Sequence, residues 1–155
     1  MSDYVRGLRE KVGNDLLFMP SAHALIRDGE GRILLVRNHS GRWLLPGGGV
    51  EPGESPAQAV RRECREELTV PVEPVRLVGV YGGPEYRICY PNGDESAWVV
   101  TILECRILEG EPAPGDDEVD AVGWYQPAEL DALPLSDASR VLLGEILSGA
   151  AFRYD

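Results

Sequence analysis

The sequence predicts an α+β fold in which a mixed, largely antiparallel sheet lies between helices. Short apolar stretches of strand character outnumber helical stretches, and hairpin-type turns separate several of them. One strongly marked helix follows a glycine loop in the middle of this series. With 155 residues, of which 43% are hydrophobic, the chain can bury one sizeable core but not two. We therefore expect a single domain over residues 1–155.

The first part of the chain predicts a helix followed by two strands. An N-terminal helical extension is expected over residues 1–14, because apolar residues recur at helical spacing before Gly13. Residues 16–27 have the apolar, β-rich character of a strand. A turn at residues 28–31 then returns the chain as a second strand over residues 33–37, and a further turn leads into the glycine loop.

The best-marked helix begins at Ser55. Ser55 is a good N-cap, Pro56 suits the first helical position, and Gln58 completes a capping box. Four residues form an apolar stripe along one side of this helix, namely Ala57, Val60, Cys64 and Leu68. The stripe predicts that this side is buried and that the neighbouring acidic face lies at the edge of a cleft.

Beyond Pro71, which breaks the chain, strands dominate again. Asn92-Gly93 is a strong hairpin signal between two of them. The expected elements are a strand at 75–81, paired strands at 86–90 and 96–108, an exposed loop at 109–117, a strand at 119–125, and helices at 127–133 and 138–148. The last helix is expected to bury Val141, Leu142, Ile146 and Leu147.

Glu63, Glu66 and Glu67 lie within an arc of about 100° on one face of the predicted helix. Like charges at this spacing repel each other, so the cluster does not stabilise a helix by itself. A hard divalent cation such as Mg²⁺ would reverse that balance, because it prefers carboxylate oxygens. Acidic helix faces are usually only solvated, but the glycine loop just before this helix lets backbone approach a metal or phosphate closely. The combination predicts a metal site.

Residues 48–70 resemble the Nudix box. That motif reads glycine, five residues, glutamate, seven residues, then Arg-Glu-apolar-any-Glu-Glu-any-Gly-apolar. The matching positions are Gly48, Glu54, Arg62, Glu63, Cys64, Glu66, Glu67, Thr69 and Val70. Thr69 departs from the pattern, which has glycine there. A glycine at this point ends the helix in a left-handed conformation, which costs a β-branched residue about 1 kcal/mol or more.

The resemblance implies a Nudix-type α/β/α sandwich and Mg²⁺-dependent hydrolysis of a phosphoric anhydride, with Mn²⁺ able to substitute. It makes Glu66 and Glu67 the principal metal ligands, with the carbonyl of Gly48 added. Glu63 either binds metal or polarises the attacking water, and the sequence does not separate these roles. In the same resemblance, Glu54 pairs with Arg62 and locks the loop to the helix.

Many members of the family take a further carboxylate from a loop far along the chain. Asp116, Asp117 and Glu118 are the candidates here, and Glu118 is preferred because it opens the run leading to Trp124. A merely solvated acidic loop is the alternative. The residues expected to bind the rest of the substrate are Arg27, Arg37, Arg42 and Tyr86. Stacking on a base is the role expected of the tyrosine, for which Tyr81 and Tyr90 are the alternatives.

The sequence leaves the substrate open among ADP-ribose, dinucleoside polyphosphates, nucleotide sugars and nucleoside triphosphates. Pro84 resembles a marker of ADP-ribose hydrolases, whereas Tyr86 resembles a marker of dinucleoside polyphosphate hydrolases. A catalytically silent nucleotide-binding module and an isoprenoid diphosphate isomerase are alternatives on the same fold. The silent modules commonly lose box glutamates, and this box retains all of them.

The net charge and the cysteine content restrict the expected binding partners and the expected cellular compartment of the protein. A net charge of −11 argues against nucleic acid or an anionic membrane as the main partner, and the small nucleotide partner is what the resemblance implies. The three cysteines lack metal-ligand spacing, which is typical of reduced thiols in a cytoplasm. No signal peptide or membrane-spanning apolar run is evident. A homodimer is expected by resemblance alone.

Overall fold

The computed structural model describes residues 2–115 and 117–149. Its helices are α1 (Asp3–Val12), α2 (Pro56–Leu68) and α3 (Asp137–Leu147), with 3-10 turns at Pro84–Tyr86 and Pro127–Ala132. Its strands are β1 (Leu17–Ile26), β2 (Ile33–Asn38), β3 (Trp43–Leu44), β4 (Gly47–Gly49), β5 (Val72–Tyr81), β6 (Arg87–Cys89), β7 (Glu95–Ile107) and β8 (Val119–Tyr125). Within the described ranges, no helix combines the length and apolarity that crossing a bilayer requires.

The strands form two sheets. In the larger sheet the order is β4-β1-β7-β5, and β6 also pairs with β7; the smaller sheet has the order β3-β2-β8. β1 and β7 run parallel from the pair Leu17–Ser96 to the pair Ile26–Cys105, while the other strand pairs are antiparallel. The predicted α+β fold with a mixed, largely antiparallel sheet is therefore confirmed.

The turn at residues 28–31 does not join β1 and β2 into a hairpin. β1 and β2 share a single bridge, between Arg27 and Ile33, and β2 instead pairs with β8 in the other sheet. The reason is burial on both faces: Ile33 and Leu35 pack into one core, while Leu34 and Val36 pack into the other. A strand buried on both sides is placed by the two layers it joins and not by the turn before it.

The two cores give the sandwich its layers. One core lies under α2 and includes Ala22, Ala24, Val60 and Cys64 from helix and strand. The other lies towards α3 and includes Leu25, Ile102, Leu142 and Leu143 among its buried residues. Alternate residues of β1 thus contribute to opposite sides of the larger sheet.

Two predicted helix faces are rotated in the structure. In α2, Ala59 is fully buried and Ala57 only half-buried, so the stripe lies closer to the acidic face than expected. In α3, Leu143 is buried while Leu147 is exposed, since the last turn extends past the core. Helical spacing alone does not decide which neighbouring residue points most directly at the sheet.

The predicted glycine loop is in part a strand. β4 pairs antiparallel with β1, with Gly47 opposite His23, Gly48 opposite Ala22 and Gly49 opposite Ser21. Gly47 has φ +140°, and a Cβ there would lie 2.3 Å from the carbonyl oxygen of Ala22. Glycine is required for this approach, which brings the backbone of β4 against the start of the site.

The C-terminal end of α2 is closed by the acidic loop. Thr69 adopts the left-handed conformation expected of a glycine, with φ 61° and ψ 12°. The backbone N–H groups of Ala113 and Gly115 then donate to the carbonyl oxygens of Leu68 and Glu67, at 3.0 and 3.1 Å. These bonds satisfy helix-end carbonyls, so the predicted exposed loop is fixed to α2 before it reaches Glu118.

Arg9 fixes α1 to the start of β7. Its guanidinium donates to the carbonyl oxygens of Gly13, Asp15 and Glu95 and to the hydroxyl of Ser96. Only 11% of the side chain is exposed, and an ion pair with Asp94 completes its contacts. The N-terminal helix is therefore attached through one side chain to the hairpin that leads into the site.

Replacing Thr69 with glycine should leave the free energy of unfolding unchanged or raise it by up to about 1 kcal/mol, because glycine adopts the left-handed conformation without strain. Ser148→Gly is the matched control. Ser148 caps α3 with φ −64°, so glycine there relieves nothing and should lower stability by about 0.5–1 kcal/mol. Urea unfolding of both variants measures the difference, and a clear loss for Thr69→Gly would contradict the interpretation of this cap.

Arg9→Met should lower the free energy of unfolding by about 1.5–3 kcal/mol, because several carbonyl oxygens lose a charged donor. Arg6→Met, on the same helix, should change it by less than about 0.5 kcal/mol, since the Arg6 side chain is 59% exposed. Chemical unfolding compares the two variants. Equal effects would show that Arg9 contributes no more than a surface charge.

Candidate active site

Arg62 organises the acidic face of α2. Its Nε and Nη2 donate to the two carboxylate oxygens of Glu54 at 2.8 and 2.9 Å, and Nη2 also donates to the carbonyl oxygen of Gly49 at 3.0 Å. Its Nη1 donates to Glu63 at 2.7 Å and lies 3.4 Å from an oxygen of Glu66. The Glu54–Arg62 pairing implied by the resemblance is thus present, and it is bidentate.

Glu67 ties the helix to β4. Glu67 is 7% exposed, and its carboxylate accepts a hydrogen bond of 2.7 Å from the backbone N–H of Gly47. Because a buried carboxylate needs hydrogen-bond donors, this contact fixes the depth at which α2 lies against the glycine strand. Glu67 therefore points inward, while Glu66 stays half exposed at the rim.

Gly48 lies against Glu63. A Cβ at residue 48 would be 2.6 Å from Oε1 of Glu63, whereas a Cβ at Gly49 would first meet the ring of Trp98 at 4.0 Å. The absence of a side chain at Gly48 thus leaves room for a carboxylate beside its backbone. These neighbours are two of the predicted metal ligands.

The electrostatics of the site follow from burial and from Arg62. Hydrogen bonds from Arg62 lower the pKa of Glu54, and those to Glu54 raise the pKa of Arg62. Burial raises the pKa of Glu63, with the charges of Glu66 and Glu118 adding to the effect and Arg62 opposing it. Glu54 and Arg62 thus favour each other's charged forms. The charges of Glu66 and Glu118 disfavour the charged form of Glu63.

Glu118 is related to the acidic face of α2, because its charge contributes to the pKa of Glu63. The preceding residue, Asp117, is contacted through its carbonyl oxygen by Nε2 of His39. Asp116 lies outside the described residues. Of the two acidic candidates that the structure describes, Asp117 and Glu118, the charge of Glu118 is the one that acts on a helix carboxylate.

The donor set suits a hard cation, but its members do not converge on one point. In the described ranges 2–115 and 117–149, no group of three His, Cys, Asp or Glu side chains is arranged to hold a metal ion. Glu63 is engaged by Arg62, and Glu67 is engaged by Gly47. The carboxylates and the open backbone at Gly48 nevertheless provide the oxygen ligands that Mg²⁺ and Mn²⁺ prefer.

A cavity of about 240 Å³ opens beside Gly48 and Gly49. Its lining is mostly apolar and includes the aromatic side chains of Tyr86, Tyr90 and Trp98. His23 lies in the same wall and contacts the carbonyl oxygen of Leu45 through Nδ1, and burial lowers the pKa of its ring. The acidic face of α2 thus adjoins an uncharged pocket.

Of the residues predicted to bind the rest of the substrate, Tyr86 lines this cavity, and the three arginines do not. Arg27 pairs with Glu104, Arg37 pairs with Asp120 and lies over the ring of Trp43, and Arg42 donates to the carbonyl oxygen of Leu135. Each arginine therefore has a partner outside the cavity lining.

Sequence reasoning did not select Ser21 or Trp98, which also line the cavity. Trp98 is half-buried. One pattern could have drawn attention to this wall: Ser21 and His23 are polar residues two positions apart within an otherwise apolar strand. That spacing places both side chains on the same face of β1.

Comparison with known proteins identifies the family. The NUDIX domain family is matched over residues 17–143. Over 103 residues the chain is 34% identical to the nucleoside triphosphatase NudI of Salmonella typhimurium, covering 64% of this chain and 72% of that protein.

Two solved structures share the fold. A MutT NUDIX hydrolase from Burkholderia pseudomallei is 32% identical, covers 83% of this chain and 97% of its own, and gives a TM-score of 0.68. An ADP-ribose pyrophosphatase from Streptococcus suis is 26% identical, covers 87% of this chain and 96% of its own, and gives a TM-score of 0.65. The chain therefore belongs to the Nudix hydrolase family, as residues 48–70 predicted.

Gly48→Ala should lower kcat/KM by at least about tenfold, because the new Cβ would displace the Glu63 carboxylate by the order of an ångström. Gly49→Ala is the matched control and should have a far smaller effect, since its Cβ meets nothing closer than 4.0 Å. Steady-state kinetics on one nucleotide substrate compares the two. Equal activities would show that the contact between Gly48 and Glu63 has no catalytic consequence.

Proposed function

We propose that this protein hydrolyses a phosphoric anhydride bond in a nucleoside diphosphate linked to another moiety, with Mg²⁺ or Mn²⁺ as cofactor and water as the attacking group. The observation that carries the proposal is the arrangement of α2: Arg62 holds Glu54 and Glu63 beside a glycine strand that borders an uncharged cavity. Phosphates placed over the acidic face would leave the rest of the substrate facing the cavity.

Each box residue has a role in this proposal. Glu66 and Glu67 bind the cation together with the carbonyl of Gly48, and Glu63 either joins them or orients the water. A divalent cation, when bound, offsets the charge of the diphosphate and lowers the pKa of a water molecule. Arg62 and Glu54 are positioning residues, since their bidentate pair holds the loop after β4 against the helix.

A carboxylate must also receive a proton from the attacking water. Glu63 and Glu118 are the candidates, because the charge of Glu118 acts on Glu63. Glu118 follows the loop whose N–H groups bond to the end of α2. This connection supports the expectation that the far acidic loop contributes to the reaction.

The substrates named for the relatives share one bond type. The Salmonella relative is named a nucleoside triphosphatase, and the Streptococcus structure is named an ADP-ribose pyrophosphatase. Both names describe cleavage of an anhydride between phosphates attached to a nucleoside. We therefore assign this linkage to the chain and leave the group beyond it to be found by assay.

Phosphate release from a panel of nucleotides should identify the substrate. The panel contains nucleoside triphosphates, oxidised triphosphates, ADP-ribose, diadenosine polyphosphates and nucleotide sugars, with a coupled phosphatase.

Glu67→Gln should lower kcat by two orders of magnitude or more while the melting temperature stays close to that of the unchanged protein, since the side-chain oxygen of glutamine can still accept a hydrogen bond from the N–H of Gly47. Glu10→Gln, a charge removal on the exposed side of α1, should retain full activity.

Metal chelation distinguishes a metal-dependent hydrolase from a catalytically silent nucleotide-binding module. EDTA should abolish phosphate release, and added Mg²⁺ or Mn²⁺ should restore it. Activity that persists in exhaustively chelated protein would rule out the metal-dependent mechanism. No release from any substrate, together with nucleotide binding by calorimetry, would instead favour the silent nucleotide-binding module.

A further inference from the structure

Thr69 has a backbone conformation that its side chain disfavours. Among the residues the structure describes, it is the only non-glycine residue with a positive φ, at 61°. The left-handed region brings a β-carbon close to the following carbonyl oxygen, so a β-branched residue is less stable there than glycine. Strain of this kind persists where the surrounding structure holds the residue in place, and it is concentrated at functional sites. The contacts of the Thr69 side chain therefore bear on function.

The methyl group of Thr69 lies against the acidic loop before β8. A Cβ added at Gly115 would lie 2.8 Å from Cγ2 of Thr69 and would overlap the carbonyl oxygen of Glu66. The N–H of Gly115 donates to the carbonyl oxygen of Glu67 at 3.1 Å. The loop backbone therefore crosses the last turn of α2 too closely to admit a side chain, and the methyl group of Thr69 fills the space beside it.

Only a short segment separates this contact from Glu118. Glu118 follows Gly115 by three residues. The next residue, Val119, is 4% exposed and lies opposite Asn38 in the pairing of β2 with β8. Glu118 thus lies between an attachment to α2 and an attachment to the smaller sheet. Because so few residues join the two attachments, a shift of the loop at Gly115 also moves Glu118.

The helix end by itself does not require a threonine. Glycine would end α2 in the same conformation without strain, and it is the residue that the pattern of residues 48–70 has at this position. Glycine cannot supply the methyl group that contacts the loop. The contact with Gly115 is therefore what distinguishes Thr69 from glycine here.

We propose that Thr69 is a positioning residue, whose methyl group holds the acidic loop against the end of α2 and thereby sets the position of Glu118. The inference rests on the proposed function, in which Glu118 is a candidate to receive a proton from the attacking water. A carboxylate with that role must lie within hydrogen-bond distance of the water, and a displacement of the order of an ångström lowers the rate.

Steady-state kinetics on a substrate from the nucleotide panel tests this role. Thr69→Gly and Thr69→Ser both lack the methyl group and should lower kcat by about fivefold or more, because Glu118 is held less closely. Thr69→Val keeps a methyl group at this place and should retain more than about half of kcat. KM should change by less than about twofold in all three variants, since the effect lies in the reaction step. Equal kcat values would overturn the inference.

A double-mutant cycle with Glu118→Gln tests whether Thr69 acts through Glu118. In the Glu118→Gln protein, Thr69→Gly should change kcat by less than about twofold, because the carboxylate that Thr69 positions is already absent. A loss as large as in the unchanged protein would show that Thr69 acts by another route. That result, or full activity of Glu118→Gln alone, would overturn the inference.

Amide hydrogen exchange measures the attachment of the loop without turnover. The N–H of Gly115 should exchange at least about fivefold faster in Thr69→Gly and Thr69→Ser, and at the native rate in Thr69→Val. Ser148→Gly, which alters the cap of α3, should change neither this exchange nor kcat. The melting temperature of Thr69→Gly should not fall, so slower turnover there would not reflect unfolding. Native exchange in every variant would contradict the proposed contact.

Gly115→Ala tests the same contact from the side of the loop. The new Cβ would overlap the carbonyl oxygen of Glu66 and displace the loop, which should lower kcat by about fivefold or more. Gly29→Ala is the matched control, because a Cβ there meets no atom within 4 Å, and it should keep full activity. Full activity of Gly115→Ala would show that the position of the loop has no catalytic consequence, and it would overturn the inference.

The outcomes also distinguish this inference from the proposed function. Turnover that Glu67→Gln abolishes and that the Thr69 variants leave unchanged would overturn the role of Thr69 and leave the hydrolase intact. Absence of turnover in the unchanged protein, with faster exchange at Gly115 in the Thr69 variants, would overturn the hydrolase proposal and support the attachment of the loop by Thr69.

Discussion

The site depends on the neutralisation of its own carboxylates. Three glutamates on one helix face repel each other, and Arg62 offsets that repulsion by bonding to Glu54, Glu63 and the backbone of Gly49. The same guanidinium therefore connects the loop before α2, the helix itself and the glycine strand. A partly buried charge of this kind is held in place by its partners, and removing any one of them would leave another unpaired.

The glycine strand makes this connection possible. Gly47 approaches the backbone of β1 closely enough to exclude any side chain, and its N–H reaches the buried carboxylate of Glu67. Gly48 then passes beside Glu63 with no Cβ between them. The depth of the helix, the position of the strand and the orientation of the two carboxylates are consequently fixed together. This coupling explains why a strand of three glycines can position an acidic site.

Strand β1 contributes residues both to the core of the protein and to the cavity beside the site. One face of the strand supplies Ala22 and Ala24 to the core under α2, whereas the other supplies Ser21 and His23 to the cavity wall. A single strand therefore packs against the acidic helix and also contributes two polar residues to the lining of the adjoining pocket. Its parallel partner β7 completes that wall with Trp98. The charged and uncharged halves of the site are adjacent because both are built on this pair of strands.

The sequence by itself determined the features that depend on neighbours along the chain. Ser55 and Gln58 form the capping box, Thr69 takes the left-handed conformation that its position requires, and the spacing of residues 48–70 identified both the acidic face and the family. Only the tertiary structure decided the parallel pairing of β1 with β7 and the transfer of β2 to the second sheet, because strand pairing is set by burial on both faces. It likewise decided that Arg27, Arg37 and Arg42 have partners of their own while Ser21 and Trp98 line the cavity. Contacts between residues far apart in the chain depend on how the layers pack, and the spacing of neighbouring residues in the sequence does not reveal that packing.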